Sequence, residues 1–418
     1  MTTSRRVVLL LFALSLVAAM STGTRLYYRF TYFFGLMLLG TWIWSKLALR
    51  GLHLVLTART VRAQVGHIFE ERFDLQNQIA IPRLWVEVRD SSNLPGSEGS
   101  RVLSMIHGKA GRSYLARTRL VQRGVYPLGP TTLASADMFG LFPVMIQIPS
   151  TESLLVYPMM VPVRGFPNPP GLMTGGEALR RMTHQITTNA SGVREYVHGD
   201  SLNRIHWLST ARRDRLMVKE FELDPLADVW IFLDGAAYVH AGTSEPVLDP
   251  QVRDIWQKTV NLKLPASTEE YAVSIAASVA RDYLSRSRAV GLVSAGALVT
   301  ALPPDRGARQ LGKILEALAI LKCKGKMPLR GLVEAQARNL ARGSTVVIIT
   351  TSIARELPMI LDYLVMSGLR PVVVLLDDTS FGGRYAAEPL VEQIKALRVP
   401  LRLVREGDEL EQVLVTPV

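Results

Sequence analysis

The sequence has almost no cysteine and lacks the short motifs of common catalytic folds. Its one cysteine, Cys323, excludes an intramolecular disulfide and a zinc site built from several cysteines. We expect Cys323 to be a small buried residue on a helix, because no partnered base is evident to activate its thiol. A Gly-x-Ser-x-Gly elbow, a phosphate-binding loop and a dinucleotide fingerprint are all missing. These absences favour a protein that is not an enzyme and that uses no cofactor.

Positive charge is abundant but is not concentrated in one place. The formal net charge is +12, yet arginine is spread along the chain and no lysine-rich tail is present. This distribution argues against nucleic acid as a partner and suits a protein that faces an anionic inner leaflet. The hydrophobic fraction of 48% is high for a soluble protein, and 418 residues predict two or three domains.

Two apolar runs lie near the start of the chain, Val7–Met20, which extends to Gly23, and Phe30–Leu49. Each approaches the roughly 20 residues that a helix needs to cross a bilayer. A cleaved signal peptide would also explain the first run, but a second run so soon afterwards favours a transmembrane helical hairpin. We therefore predict spans at 7–23 and 30–49 within an anchor covering residues 1–51.

The flanking charges predict the orientation of this hairpin. Two arginines, Arg25 and Arg29, fall in the expected turn. Six basic residues flank the outer ends: Arg5, Arg6, Lys46, Arg50, Arg59 and Arg62. The positive-inside rule then places both termini in the cytoplasm. We expect a multi-pass protein of the inner or plasma membrane, with the lipid bilayer as one partner and its soluble domains cytoplasmic.

Residues 52–160 show the pattern of an antiparallel β-sandwich. Apolar and polar residues alternate in short runs separated by turn signals. The expected strands include Leu84–Val88, Val102–Ile106, Tyr114–Val121 and Ser153–Tyr157. Residues 137–142 are expected to form an apolar plug in which Gly140 adopts an unusual backbone angle. Residues 161–191 are predicted to be a linker, because Val161–Gly176 is rich in proline and glycine.

Residues 227–418 alternate buried strands with helices, which predicts a doubly wound α/β domain. The expected strands are Val229–Leu233, Val290–Val293, Thr345–Thr350, Pro371–Leu376 and Leu401–Val404. The expected helices are Thr268–Ser285, Ala308–Leu321, Leu332–Ala341, Ala354–Val365, Glu388–Leu397 and Asp408–Leu414.

Ligands of such sheets bind at the carboxyl ends of the strands, where Asp234 and Asp377 lie. Carboxylates suit Mg²⁺, so these two acids are weak candidates for a metal site. Asp234 is followed by Gly235-Ala236-Ala237-Tyr238, which supplies no serine or threonine hydroxyl at the second or fourth position. A hydrogen-bonding role for Asp234 is therefore the preferred interpretation, and no metal site is assigned.

Residues 192–226 form a charged segment between the two domains. Eleven charged side chains in Gly192–Glu222 nearly balance, and they are interleaved with Tyr196, Trp207 and aliphatic residues. Asp200 is expected to cap a short helix over Ser201–Ser209. Such a segment could hold the two domains together through ion pairs, or it could dock a partner protein. A catalytic site is the third alternative, and the balanced charge of the segment favours it least.

The charged segment resembles the signature of the bacterial family known as domain of unknown function 58. The residues that carry the resemblance are Arg194, Glu195, Tyr196, Gly199, Asp200, Trp207, Arg212, Lys219 and Glu220. The resemblance implies an N-terminal hydrophobic hairpin, a β domain and a C-terminal domain like that of von Willebrand factor A. Such proteins are often encoded beside MoxR-type AAA+ ATPases, which implies a role in an assembly or chaperone-like system.

The expected function is thus a membrane-anchored, cytoplasm-facing protein-interaction scaffold. Its expected protein partner is an AAA+ ATPase or another membrane protein. The alternative is a divalent-metal-dependent ligand-binding protein or enzyme that uses the strand-end acids. Asp234–Tyr238 departs from the Asp-x-Ser-x-Ser pattern of metal-binding von Willebrand domains, which weighs against the alternative.

Overall fold

The computed structural model describes residues 3–150, 152–163, 165–167, 190–197, 205–221, 228–244, 263–337 and 339–416. The described chain divides into two compact units. The first contains the described residues of Met1–Met159, Thr243–Pro265 and Leu315–Ile320. The second contains those of Met160–Gly242, Ala266–Ile314 and Leu321–Val418.

Two helices open the chain, α1 over Thr3–Thr22 and α2 over Arg25–Ala48. Helix α1 is the one helix among the described residues that is long and apolar enough to cross a membrane, and only 11% of its apolar window is buried. The two helices pack on each other, because the Phe12 ring lies against Gly35 and leaves just 3.2 Å for an added Cβ.

The connection between the helices is shorter than the sequence predicted. Gly23 has φ +66° and ends α1, and Thr24 precedes α2. The predicted turn containing Arg25 and Arg29 is wrong, since both arginines lie in the first turns of α2. A glycine in the left-handed region suffices to end a helix, and arginine has a high helix propensity.

Among the described residues of the first unit, ten strands follow the helices and form three sheets. Their bounds are β1 Leu52–Ala58, β2 Arg62–Gln64, β3 Ile68–Asn77, β4 Arg83–Asp90, β5 Arg101–Ile106, β6 Gly111–Arg119, β7 Gly124–Pro127, β8 Thr131–Ser135, β9 Val144–Ile148 and β10 Ser153–Tyr157. The sheet orders are β1-β3-β6, β5-β4-β8-β9 and β2-β10-β7. The first two sheets are antiparallel throughout.

The two antiparallel sheets share a hydrophobic cluster. Phe73 and Leu75 of β3, Val86 and Val88 of β4, and Leu133 of β8 all belong to it and are almost fully buried. Strand β3 alternates buried and more exposed positions along its length, as a strand with one face on a core should. The four strands named in the prediction, which are β4, β5, β6 and β10, are confirmed. The prediction did not name the other six strands of this region.

The second unit contains a six-stranded sheet in the order β15-β14-β13-β16-β17-β18. The strand bounds are β13 Val229–Leu233, β14 Val290–Ala295, β15 Val299–Asp305, β16 Thr345–Thr351, β17 Arg370–Leu376 and β18 Leu401–Val404. All neighbours are parallel except the edge strand β15, which pairs antiparallel with β14. The five predicted strands are confirmed to within two residues at each end.

Helices connect these strands. Their bounds are α4 Thr268–Ser285, α5 Gly307–Ile320, α6 Leu329–Ala337, α7 Leu357–Met366, α8 Glu388–Ala396 and α9 Leu410–Val413. Helices α6, α7 and α8 share one hydrophobic cluster with the sheet, while α4 contacts the central strands β13, β14 and β16. Cys323 is buried as expected, but it follows the end of α5 and does not lie on a helix.

The first part of the predicted linker packs against helix α4. Phe166 is 1% exposed and its ring meets Tyr283 edge-on at 5.9 Å. The backbone N–H of Val161 donates to Ser278 Oγ at 3.0 Å. Residues 164 and 168–189 of the predicted linker lie outside the described residues.

Candidate functional site

The charged segment folds as a small β-hairpin-like module that contains a short helix. Strand β11 (Ala190–Glu195) pairs antiparallel with β12 (Met217–Phe221), and helix α3 (Trp207–Arg213) lies between them in sequence. Ile205 forms a β-bridge with Val218 just before the helix. We call residues 190–197 and 205–221 the signature module.

Local hydrogen bonds hold the short helix against strand β12. The His206 ring accepts a hydrogen bond from the Ser209 backbone N–H at 3.2 Å and so caps the start of α3. Thr210 Oγ1 accepts from the Met217 N–H at 3.0 Å. Met217 and Val218, the first two residues of β12, are buried at 1% and 2% exposure. The helix predicted at Ser201–Ser209 is confirmed for Trp207–Ser209 and is wrong at Ile205 and His206, because His206 caps a helix that begins at Trp207 and continues to Arg213. Residues 201–204 lie outside the described residues.

The structure describes the predicted signature residues to different extents. Glu195 forms an ion pair with Arg215 at 2.9 Å, with both side chains largely exposed. Tyr196 is half-buried, while Trp207 and Arg212 are exposed. Gly199 and Asp200 lie outside the described residues. For Arg194, Lys219 and Glu220 the structure describes the strand backbone. Among the described side chains, the Glu195–Arg215 ion pair is one part of the expected network, and an exposed pair of this kind contributes little to stability.

Large apolar side chains of the signature module are exposed. Trp207 is 68% exposed, Leu208 61%, Val197 61% and Leu216 44%. Trp207 and Leu208 are the first two residues of α3, and Leu216 directly precedes β12. Burial of such side chains would be favourable, so a module that keeps them on its surface is suited to contact another molecule.

Asp234 lies at the carboxyl end of strand β13 and is 2% exposed. Its carboxylate accepts hydrogen bonds from Thr350 Oγ1 at 2.8 Å and from the Ala236 N–H at 3.2 Å. Burial raises the pKa of Asp234, and the hydrogen bond from Thr350 opposes this effect. The backbone carbonyl of Asp234 lies 2.9 Å from His240 Nε2. The His240 contact was not predicted, since a single histidine in a loop gives no sequence signal.

Asp377 and Asp378 follow strand β17. Asp377 Oδ1 accepts from Thr379 Oγ1 at 2.8 Å, and Arg405 lies 3.5 Å from its Oδ2. Asp378 Oδ2 accepts from the backbone N–H groups of Arg384 at 2.8 Å and Tyr385 at 3.1 Å. These bonds organise the loop after β17.

The two strand-end acids do not follow neighbouring strands. Asp234 and Asp377 directly follow strands β13 and β17, which are separated by β16 in the sheet. Each carboxylate already accepts hydrogen bonds from protein donors. Among the described residues, no three histidine, cysteine, aspartate or glutamate side chains converge as metal ligands. The hydrogen bonds to these acids fix loops at the carboxyl edge of the sheet.

Comparison with known proteins connects the signature module to a family. Residues 192–249 match the family described as "Protein of unknown function DUF58". The "Uncharacterized protein YeaD" of Bacillus subtilis (strain 168) is 22% identical over 343 residues, which cover 80% of this chain and 78% of that protein.

Solved structures give weak similarities. The CARDB domain of the PF1109 protein from Pyrococcus furiosus, solved in complex with di-metal ions, aligns with a TM-score of 0.18 and 13% identity over 25% of this chain and 91% of that chain. Proximal thread matrix protein 1 from the mussel byssus aligns with a TM-score of 0.30 and 10% identity over 46% of each chain. Scores this low carry no argument about fold. Residues 192–249 are thus similar to the DUF58 family model, and the chain as a whole is distantly similar to YeaD.

Proposed function

We propose that this chain is a membrane-anchored, cytoplasm-facing scaffold that binds another protein and has no catalytic role. The observation that carries the proposal is the exposure of Trp207, Leu208 and Leu216 in the signature module. Tryptophan is enriched among the residues that dominate binding energy at protein interfaces. Exposed apolar side chains on an ordered element are typical of such interfaces.

The module is suited to present these side chains in a fixed arrangement. Met217 and Val218 anchor strand β12 by burial, at 1% and 2% exposure. The cap from His206 and the hydrogen bond at Thr210 fix the helix that carries Trp207. A preorganised surface loses less conformational entropy on binding, which favours affinity.

Arginines next to the apolar side chains favour an acidic or mixed-charge partner surface. Arg212, Arg213 and Arg215 are all exposed in or just after α3. Charged residues around an apolar centre are the usual arrangement of a binding rim, and they raise association rates and specificity. A cytoplasmic AAA+ ATPase of the MoxR type is the partner that we propose.

The proposed anchor is the N-terminal pair of helices. Helix α1 has the length and composition of a membrane span, and its apolar side chains are mostly exposed, unlike those of a core helix of a soluble protein. We propose that α2 crosses beside it, so that the two form a hairpin. The excess of basic residues outside the hairpin supports a cytoplasmic position for both termini.

The topology of the second unit supports a von Willebrand factor A-like domain. In the six-stranded sheet, the first strand along the chain, β13, lies in the interior of the sheet, and the edge strand β15 is antiparallel to its neighbour. The two antiparallel sheets of the first unit, with their shared core, support a β-sandwich. Both assignments are part of the proposal, and domains of these kinds occur widely in proteins that bind other proteins.

The experiment is a binding titration between the full chain in lipid nanodiscs and the purified MoxR-type ATPase of the same organism. A Trp207→Ala/Leu208→Ala variant is expected to bind at least about tenfold more weakly, since a central anchor contributes about 2 kcal/mol or more. Leu298→Ala is the matched control, because Leu298 is 74% exposed and lies outside the module. Undetectable binding by the unmodified chain, or equal losses in both variants, contradicts the proposal.

A further inference from the structure

The loop between β8 and β9 presents two large apolar side chains to the exterior. Met138 is 72% exposed and Phe139 is 55% exposed. The loop is fixed from within, because Asp137 accepts hydrogen bonds from the N–H groups of Phe139 at 3.0 Å and Phe142 at 2.7 Å. Leu141 is buried and anchors the same turn. We call residues 137–142 the β8–β9 loop.

The β8–β9 loop touches the start of helix α1. The Arg5 guanidinium lies over the Phe142 ring, 4.5 Å from its centroid, which is a cation–π distance. The uninterrupted apolar part of α1 begins two residues later, at Val7. Arg5 therefore marks the level at which α1 would enter a bilayer, and the loop lies at that level.

Strand register independently places the β8–β9 loop at the end of the sheet where α2 joins it. Arg83, at the start of β4, donates from Nη2 to the carbonyl of Arg50 just after α2, at 2.7 Å. Strand β8 runs antiparallel to β4, and Ser135 at its end donates to the carbonyl of Trp85 at 2.7 Å. The start of β4, the end of β8 and the end of α2 are thus neighbours.

We propose that the β8–β9 loop inserts Met138 and Phe139 into the interfacial region of the bilayer. The inference rests on the membrane anchoring in the proposed function. We expect the exposed side chains of the loop to contact an anionic lipid surface. The loop lies beside the start of α1, and the basic residues Arg6 and Lys46 are near the start of α1 and the end of α2. Aromatic and other large apolar side chains insert at such a boundary.

The test uses full-length chains in which Cys323→Ala leaves a single introduced cysteine for an environment-sensitive fluorophore. The chains are reconstituted into phosphatidylcholine–phosphatidylglycerol vesicles. Phe139→Cys reports on the loop, and Leu14→Cys reports on the middle of α1. Glu98→Cys is the control, because Glu98 precedes Gly99, which lies against the side chain of Asp90 at the far end of β4. Asp90 is about 23 Å along that strand from Arg83.

Lipids with a nitroxide near the headgroup are expected to quench the Phe139→Cys label several-fold more than the Glu98→Cys label, and the emission of the former should be blue-shifted. Lipids with a nitroxide deep in the acyl chains should quench the Leu14→Cys label. If the Leu14→Cys label is quenched but the Phe139→Cys label behaves like the Glu98→Cys control, the proposed contact of the loop with the bilayer is wrong and the membrane anchoring stands. An unquenched Leu14→Cys label overturns the membrane anchoring, and the loop contact with it.

Discussion

Glu71 should make the first unit less stable as the pH rises through neutrality. This residue is 8% exposed and lies on the buried side of β3, between Phe69 and Phe73. Burial raises the pKa of its carboxyl from 4.5 to about 7, and the carboxylates of Asp90 and Glu152 add to the effect. Since one pKa unit corresponds to about 1.4 kcal/mol, the ionised carboxylate lowers the free energy of unfolding by roughly 3 kcal/mol.

The sign of the pH dependence follows from proton linkage. Below pH 4.5 the Glu71 carboxyl is protonated in both the folded and the unfolded chain. As the pH rises from 4.5 to about 7, the unfolded chain releases its proton first, and the stabilising contribution of the protonated form is lost. Glu71→Gln keeps the shape and cannot ionise. The free energy of unfolding of Glu71→Gln should therefore exceed that of the unmodified chain by near zero at about pH 4 and by roughly 3 kcal/mol at about pH 8.

Urea unfolding of the detergent-solubilised full chain, followed through tryptophan fluorescence, measures this difference. Glu70→Gln is the matched control, because Glu70 accepts hydrogen bonds from Arg59 at 2.8 Å and Arg117 at 3.0 Å on the more exposed face of β3. The Arg59 hydrogen bond lowers the pKa of Glu70, so this variant should lose up to about 1 kcal/mol near neutral pH and less in acid. If the Glu71→Gln variant is no more stable than the unmodified chain at about pH 8, the ionised Glu71 carboxylate does not destabilise the fold as predicted.

Three further outcomes follow from the packing and the strand-end hydrogen bonds. Phe73→Ala should lower the free energy of unfolding by about 3–5 kcal/mol in urea titrations, because Phe73 is fully buried in the shared core of two sheets. Thr350→Val should lower it by about 1–3 kcal/mol at neutral pH, since the buried Asp234 carboxylate loses its hydroxyl donor. Adding Mg²⁺, Mn²⁺ or Ca²⁺ should give no binding heat by calorimetry and no change in melting temperature, and a clear response to one of them would favour the metal-dependent alternative.

The parallel strands of the second unit could be predicted almost to the residue. Val229–Leu233 and Thr345–Thr351 are buried on both faces, so their sequences are continuous runs of apolar and β-branched residues. The antiparallel edge strand Val299–Asp305 was missed, because its two prolines and its exposed alternate positions do not look like a core strand. An edge strand tolerates proline, since one side of it needs no hydrogen-bonding partner.

Strand β3 was missed for a different reason. Its sequence, Ile68–Asn77, mixes acids and arginine with phenylalanine, and the buried side includes Glu71 as well as Phe73. A buried carboxyl violates the alternation rule from which strands are predicted. The burial that makes Glu71 an exception to this rule also raises the pKa of its carboxyl.

The candidate site could be predicted in part. The strand-end position of Asp234 follows from the strand pattern. Its hydrogen-bond donor, Thr350, lies near the end of the neighbouring strand β16. The start of helix α3 could not be predicted, because His206 acts as the cap and histidine is not among the residues preferred there. The exposure of Trp207 also has no sequence signal, since a tryptophan in a mixed segment is usually a core residue.

The most direct test of the proposed scaffold is site-specific photocrosslinking in living cells. A photoreactive phenylalanine analogue would replace Leu208 in the signature module or, as the matched control, Leu298 outside it, both of which are exposed. If the chain is the proposed scaffold, the Leu208 position forms an adduct with the MoxR-type ATPase in the membrane fraction and the Leu298 position does not. Adducts of equal yield at both positions, or no ATPase adduct at the Leu208 position, would contradict it.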